Sequence, residues 1–464
     1  MSNQIKKRKK IVVIGAGSAS FGLSTLAGIM RTKALYGMEL ALVDTNIDGI
    51  NKIRELAEIL NEEWNADIKI SSTGDRKEAL PGADYIVISV AVDREECWKS
   101  DYKIALKYNI SHYAENGGPA GFIHSARNIS IVLPILEDIN KLCPNVFLIN
   151  FTNPMQRICT AINKVSNIKF AGICHQISFG YFILGTIFAK ELGINVKEDP
   201  RFVWTDECMD YQMEISDKAM EYFDIKAAGI NHFTWMMDVR EKETGKDMYD
   251  ILKKKMKDLP PEFEPLTQEI FKIFNYIPVA GDCHIAEYLP YTSDLTSETF
   301  KKYDIQLYDF DWSCKSRDRM WNEIEMMIRG KRKVDYLKNA RSERAEFVIA
   351  GIEKNSNLYE SSVNIPNRGC ITNLPGDAIV DVPGVISGNG IIGLAMGDLP
   401  KPIAELCNRQ LILNELTVQA VIDGDIKLVY QLFALDPMIN NLDTAVRLSD
   451  EYIKKNIKYL PSFQ

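Results

Sequence analysis

The chain lacks an apolar window near the ~18 residues needed to cross a bilayer, so no membrane span is expected. Its charged start, Lys6-Lys7-Arg8-Lys9-Lys10, is not followed by a long apolar segment with a small-residue cleavage site. A secretory leader is therefore not expected, and the run reads as a solvated tail before the first strand. Excess positive charge is also lacking. A net charge of −8 argues against a nucleic-acid surface. Nine cysteines, an odd number, lie scattered without paired spacing, which excludes a disulfide framework and fits reduced thiols in a cytoplasm. No repeat of 20–50 residues and no low-complexity tract interrupts the chain. Histidine is scarce at five residues, so a histidine inside a motif carries weight.

What is present is the composition of an ordinary globular protein, 46% hydrophobic and 25% charged over 464 residues. Short β-branched runs alternate with helical patterns in the first third. The expected strands are 11–15 (IVVIG), 40–44 (LALVD), 85–90 (YIVISV), 146–151 (VFLINF) and 169–174 (KFAGIC), with helices such as 48–62 and 129–141 between them. This alternation predicts an α/β protein with a doubly wound parallel sheet. After residue 197 the pattern changes to longer helices (316–329, 338–354, 403–423) around one dense β-type stretch, 361–392. A Rossmann-type domain over 1–197 and an α+β C-terminal domain over 198–464 are expected.

The first strand runs into Gly15-Ala16-Gly17-Ser18-Ala19-Ser20-Phe21-Gly22. Gly15 suits a tight turn, and Gly17 lets backbone approach a pyrophosphate at the next helix N-terminus. Ser20 replaces the third glycine of the dinucleotide fingerprint. The second strand ends on Asp44, 27 residues after Gly17, where a carboxylate can accept hydrogen bonds from a ribose diol. Thr45 and Asn46 offer no arginine for a 2′-phosphate, so NAD is expected rather than NADP. Gly15, Gly17, Ser18, Phe21 and Asp44 are the cofactor residues this predicts.

Ligands of doubly wound sheets bind at the carboxyl ends of the strands. Three further ends are polar: Ser89–Asp93, Asn150–Asn153 (NFTN) and Cys174-His175. Downstream stands Gly229-Ile230-Asn231-His232-Phe233. A thiolate with an imidazole suits a borderline divalent ion, although the interval from 174 to 232 is no metal signature by itself. Taken alone, Asp282 and His284 read as a capped turn and Glu115-Asn116-Gly117-Gly118 as a flexible loop.

Together, GAGSASF, NFTNPM, GICHQI, AGINHF, GDCHIAEY and VNIPNRGCITNLPGDAIVDVPGVISGNGI resemble the successive motifs of glycoside hydrolase family 4, in the family's order across residues 11–395. The resemblance implies a fold like that of lactate and malate dehydrogenases, NAD, and a divalent metal, Mn²⁺ being the usual ion. It implies Cys174 and His232 as metal ligands, Asn153, Glu115 and Asn231 at the substrate, and Asp282 as the base. Tyr276 is the alternative base, because some relatives use a tyrosine. His175 stands where members acting on unphosphorylated α-hexosides or uronides carry His, and is expected to serve as general acid or to orient the leaving oxygen, with a neutral-range pKa suited to either task. Gln176 departs from the Glu, Ser or Gly expected next, so the sugar stays open. The implied route is redox-neutral: oxidation at C3, loss of the acidified C2 proton, departure of the glycosidic oxygen, then water addition and reduction. This family is the NAD-dependent exception among glycosidases. A homodimer or homotetramer acting on a small carbohydrate is implied, without nucleic-acid or membrane partners. The competing reading from fold alone is a 2-hydroxyacid-type dehydrogenase, which would consume NAD⁺ stoichiometrically.

Overall fold

A computed structural model describes residues 8–197, 199–297 and 301–464. Lys6 and Lys7 of the basic run and residue 198 at the expected boundary lie outside the described residues. Arg8 and Lys9 pair with Asp67 and Asp84.

Six parallel strands form the first half of one sheet: β1 (Lys10–Ile14), β2 (Glu39–Val43), β3 (Lys69–Thr73), β4 (Tyr85–Ile88), β5 (Phe147–Asn150) and β6 (Lys169–Gly172), ordered β3-β2-β1-β4-β5-β6. The β-branched runs of β1, β4 and β5 are almost wholly buried because helices cover both faces. The expected doubly wound α/β sheet is thus observed. β3 (KISST) was not expected from the sequence, since an edge strand with an exposed, polar pattern has no apolar run to announce it.

The later strands extend this same sheet instead of building another. β7 (Phe223–Ile230), β8 (Phe233–Glu241), β9 (Leu358–Pro366), β10 (Ile379–Ser387) and β11 (Gly390–Gly393) continue it antiparallel. The join is narrow: Gly172 of β6 pairs with Asn364 of β9, and Asp381 of β10 with Gly229 of β7. Two hydrophobic cores, one on each face, carry the helices. The helix expected over 129–141 is longer, Gly118–Leu142, and begins at the Glu115–Gly118 segment. That segment is therefore a helix entry and not a free loop.

Candidate active site

The dinucleotide loop forms as its spacing requires. Gly15 has φ +96, and a Cβ there would lie 1.9 Å from the Ser89 carbonyl oxygen on the neighbouring strand end. A Cβ on Gly17 would meet the Asp44 carboxyl carbon at 2.8 Å, because the Gly17 N–H donates to Asp44 Oδ2 at 2.7 Å. Asn46 N–H donates to the other oxygen at 2.8 Å. Ser18 caps the following helix, its hydroxyl accepting from Phe21 N–H at 3.2 Å. Close backbone at a helix entry beside an acidic strand end fits a nucleotide pyrophosphate and ribose.

β7 and β8 form a hairpin whose two-residue turn is Asn231-His232. This turn carries His232 to the end of β6. Its Nε2 lies 3.1 Å from the Cys174 Sγ, and its Nδ1 lies 2.9 Å from Asn116 Nδ2. Fifty-eight residues of separation are thereby closed to contact. Burial pushes the Cys174 thiol up to about 11, so the expected thiolate forms only when a cation draws the proton off. Burial lowers the His232 pKa, leaving a neutral imidazole suited to ligation.

His284 and Glu115 add to this pair. Glu115, His232 and His284 bring ligand-type atoms within 4.8 Å of one another. Burial would raise the Glu115 pKa, but the facing Arg94, 3.5 Å away, and the nearby histidines hold it below the usual carboxylate range. Glu115, His232 and His284 form one candidate donor group and His232 also reaches the Cys174 thiol, donor types that suit a borderline divalent ion. Behind them Glu287, fully buried, accepts backbone N–H bonds from Glu115 (2.8 Å), Asn116 (2.6 Å) and Gly117 (3.2 Å). It also faces His284 Nδ1 at 3.2 Å. Sequence reading missed Glu287, Asn116 and Arg94. The one local signal was the three-residue spacing of His284 and Glu287, which puts both on one side of a helical turn.

Other expected residues fall on the same cleft or just behind it. A single cleft of about 1990 Å³ is lined by Gly15, Gly17, Ser18, Phe21, Asp44, Asn153, Cys174, His175, His232 and Asp282. Asn153 donates to Glu115 at 3.3 Å and has a buried carbonyl oxygen without a partner, ready for a ligand hydroxyl. Two of the expected substrate residues have other partners. Glu115 and Asn231 do not line the cleft. Glu115 is taken up by Arg94 and Asn153, and Asn231 donates to buried Asp381 at 3.1 Å, setting the hairpin turn that holds His232. Gln176 donates to the same carboxylate at 2.7 Å, which ties the Cys174 turn to β10.

His175 is half exposed and sits 3.1 Å from Glu343. Desolvation pulls its pKa down, but the Glu343 carboxylate outweighs this and lifts it to about 9. That lies above the neutral range expected from the sequence. Asp282 is buried, and its carboxylate accepts from Leu266 N–H (2.7 Å) and Thr267 N–H (2.8 Å), capping the helix Pro265–Phe274. Burial raises it to about 6, against the hydrogen bonds from Thr267, Leu266 and Glu264, which pull it down. Tyr276 packs on Tyr249 at 6.0 Å and does not line the cleft. His112 is a structural histidine, its Nε2 accepting from Ala120 N–H at 3.3 Å.

The family model described as "Family 4 glycosyl hydrolase" matches residues 10–182, and its C-terminal domain matches 227–439. The chain belongs to family 4 of the glycosyl hydrolases. This glycosyl hydrolase is 29% identical to an α-glucosidase of Erwinia rhapontici, over 97% of this chain and 98% of that one. It is 26% identical to an α-galactosidase of Bacillus subtilis (strain 168), over 98% and 100%. A 6-phospho-α-glucosidase from gut microorganisms, solved with NAD and Mn²⁺, shares its fold at TM-score 0.77 and 21% identity, over 99% and 100%. The dehydrogenase reading is not favoured. No described helix of this glycosyl hydrolase is long and apolar enough to cross a membrane.

Proposed function

We propose that the protein cleaves unphosphorylated α-linked hexosides or hexuronides by redox-neutral oxidation, elimination and addition, using NAD and a divalent ion, Mn²⁺ first. One observation carries the reading: the dinucleotide loop and the Cys174–His232 pair line one cleft, so a nucleotide and a metal-bound sugar can meet. Gly15, Gly17, Ser18, Phe21 and Asp44 would hold the nucleotide, and Cys174 and His232 the metal, with His284 beside them. When bound, the two groups supply a hydride acceptor and a Lewis acid.

The protein's own groups do the proton work. Asp282, with its pKa near 6, is ionised at neutral pH and basic enough to take the proton from C2. His175 retains its proton up to about pH 9 and can give it to the departing oxygen. The nucleotide-holding residues fall in 1–197 and His232 and Asp282 in 198–464, which supports two working halves, with Cys174 at their join. Nine free cysteines support a cytoplasmic setting. A homodimer or homotetramer is proposed from the family resemblance, and sedimentation velocity tests it.

The deciding experiment is a panel of nitrophenyl α- and β-hexosides and uronides with NAD⁺, Mn²⁺ and thiol. Cleavage should require NAD⁺ yet leave no net NADH, and product formed in D₂O should carry deuterium at C2. NADH rising in step with substrate loss would establish the dehydrogenase instead, and a retained C2 proton would exclude elimination.

A further inference from the structure

The cleft is about twice the upper end of an ordinary small-ligand pocket, so it has room beyond a nucleotide and one sugar. Part of its wall is aromatic: Phe202, Trp204, Tyr308 and Trp312 line it and pack on one another. Trp204 meets Phe202 at 5.0 Å, Tyr308 at 5.1 Å and Trp312 at 5.3 Å between ring centroids. The wall is rigid, since Trp312 Nε1 donates to Asp206 at 3.0 Å and Tyr308 stacks on buried Trp98 at 4.3 Å. It is also close to the metal pair. Ring contacts of 4.4, 4.7 and 6.2 Å lead from His232 through His284 and Tyr113 to Trp204.

We propose that Trp204, Tyr308 and Trp312 form a leaving-group subsite that stacks a second, uncharged pyranose ring. This rests on the glycosidase reading above. Aromatic faces carry negative potential and attract the polarised C–H face of a sugar, and a neutral ring loses little solvation there. Arg94, the cation over Tyr308 and Trp98, is committed to Glu115, so it offers no anchor for an anionic leaving group.

The test compares an α-linked disaccharide with the methyl α-glycoside of the same sugar, melibiose against methyl α-galactoside or maltose against methyl α-glucoside. Enzyme loaded with NAD⁺ and Mn²⁺ is used throughout. In Trp204→Ala the ratio of kcat/KM, disaccharide over methyl glycoside, should fall about ten-fold, the order of one lost stacking contact. Trp312→Ala should lower the ratio in the same sense, and it carries the test if Trp204→Ala does not fold. An unchanged ratio, with both substrates losing equally, would assign the wall a structural role and overturn the subsite alone. If the wild-type protein cleaves neither pair yet cleaves a nitrophenyl hexoside or uronide of the panel above, the subsite alone falls, whereas no cleavage across the whole panel would overturn the glycosidase reading and the subsite with it.

Discussion

Cys174 shows how one side chain is prepared for two states. Burial keeps it a thiol alone, yet it touches the His232 nitrogen and becomes a soft anionic ligand once a cation displaces its proton. Cys174→Ser should abolish Mn²⁺-dependent activity while NAD binding and the fold survive, because a neutral hydroxyl is a much poorer ligand. Calorimetric Mn²⁺ titration and a nucleotide-binding assay check this, and unchanged metal affinity would remove Cys174 from the metal set. Asp282 offers a second test. Asp282→Asn should cut turnover by roughly 10²–10⁴-fold, the usual worth of a positioned base. The wild-type rate should rise with pH through about 6, as the carboxyl loses its proton, and the variant should lack that limb. Folding has the opposite sign. A carboxyl raised above its ordinary range stabilises the fold fully below that range, and this is lost as pH rises through about 6. The wild-type melting temperature should thus decline more steeply than the variant's as pH rises from about 4 to about 6.

At the scale of elements, the site is a set of ends brought together. The strand end after β6, the two-residue turn between β7 and β8, and the entry of the helix Gly118–Leu142 each deliver one group to it. Glu287 joins the last of these to His284 by collecting three backbone N–H bonds in a buried place. Removing such an acceptor strands the donors, at about 1–3 kcal/mol for a buried unsatisfied group. Glu287→Ala should therefore lower stability by at least about 2 kcal/mol in urea unfolding and weaken Mn²⁺ binding through His284 and Glu115. Glu287→Gln keeps the shape and one carbonyl acceptor, so it should recover part of both. A Glu287→Ala protein with wild-type metal affinity would separate the loop from the metal site.

Over the whole molecule, the continuous sheet couples the nucleotide half to the metal half. Because β9 and β10 stand between β6 and β7, neither half has an intact edge without the other. Calorimetric unfolding should show one transition, raised by NAD as mass action requires, by about 2.7 kcal/mol at a hundred times the dissociation constant. Two resolved transitions, only one of them shifted by NAD, would show the halves to be independent.

What the sequence by itself determined was whatever depends on neighbours along the chain. The buried strands β1, β2, β4, β5 and β6, the Gly15–Gly17 turn and the Asp44 strand end announce themselves by local pattern, since apolar runs and glycine freedom act over a few residues. The motif order likewise marked Cys174, His232, Asn153 and Asp282, and all four line the cleft. Only the tertiary structure could decide what depends on contact across long intervals. It set Glu115 against His232 and His284, bound Asn231 to Asp381, and paired His175 with Glu343. It also gave Asp282 a helix to cap, and ran one sheet through the strands of both expected domains. The physical reason is common to these cases. Burial, ion pairing and capping are set by groups that meet in space, and the 167 residues between His175 and Glu343 carry no local trace of that meeting.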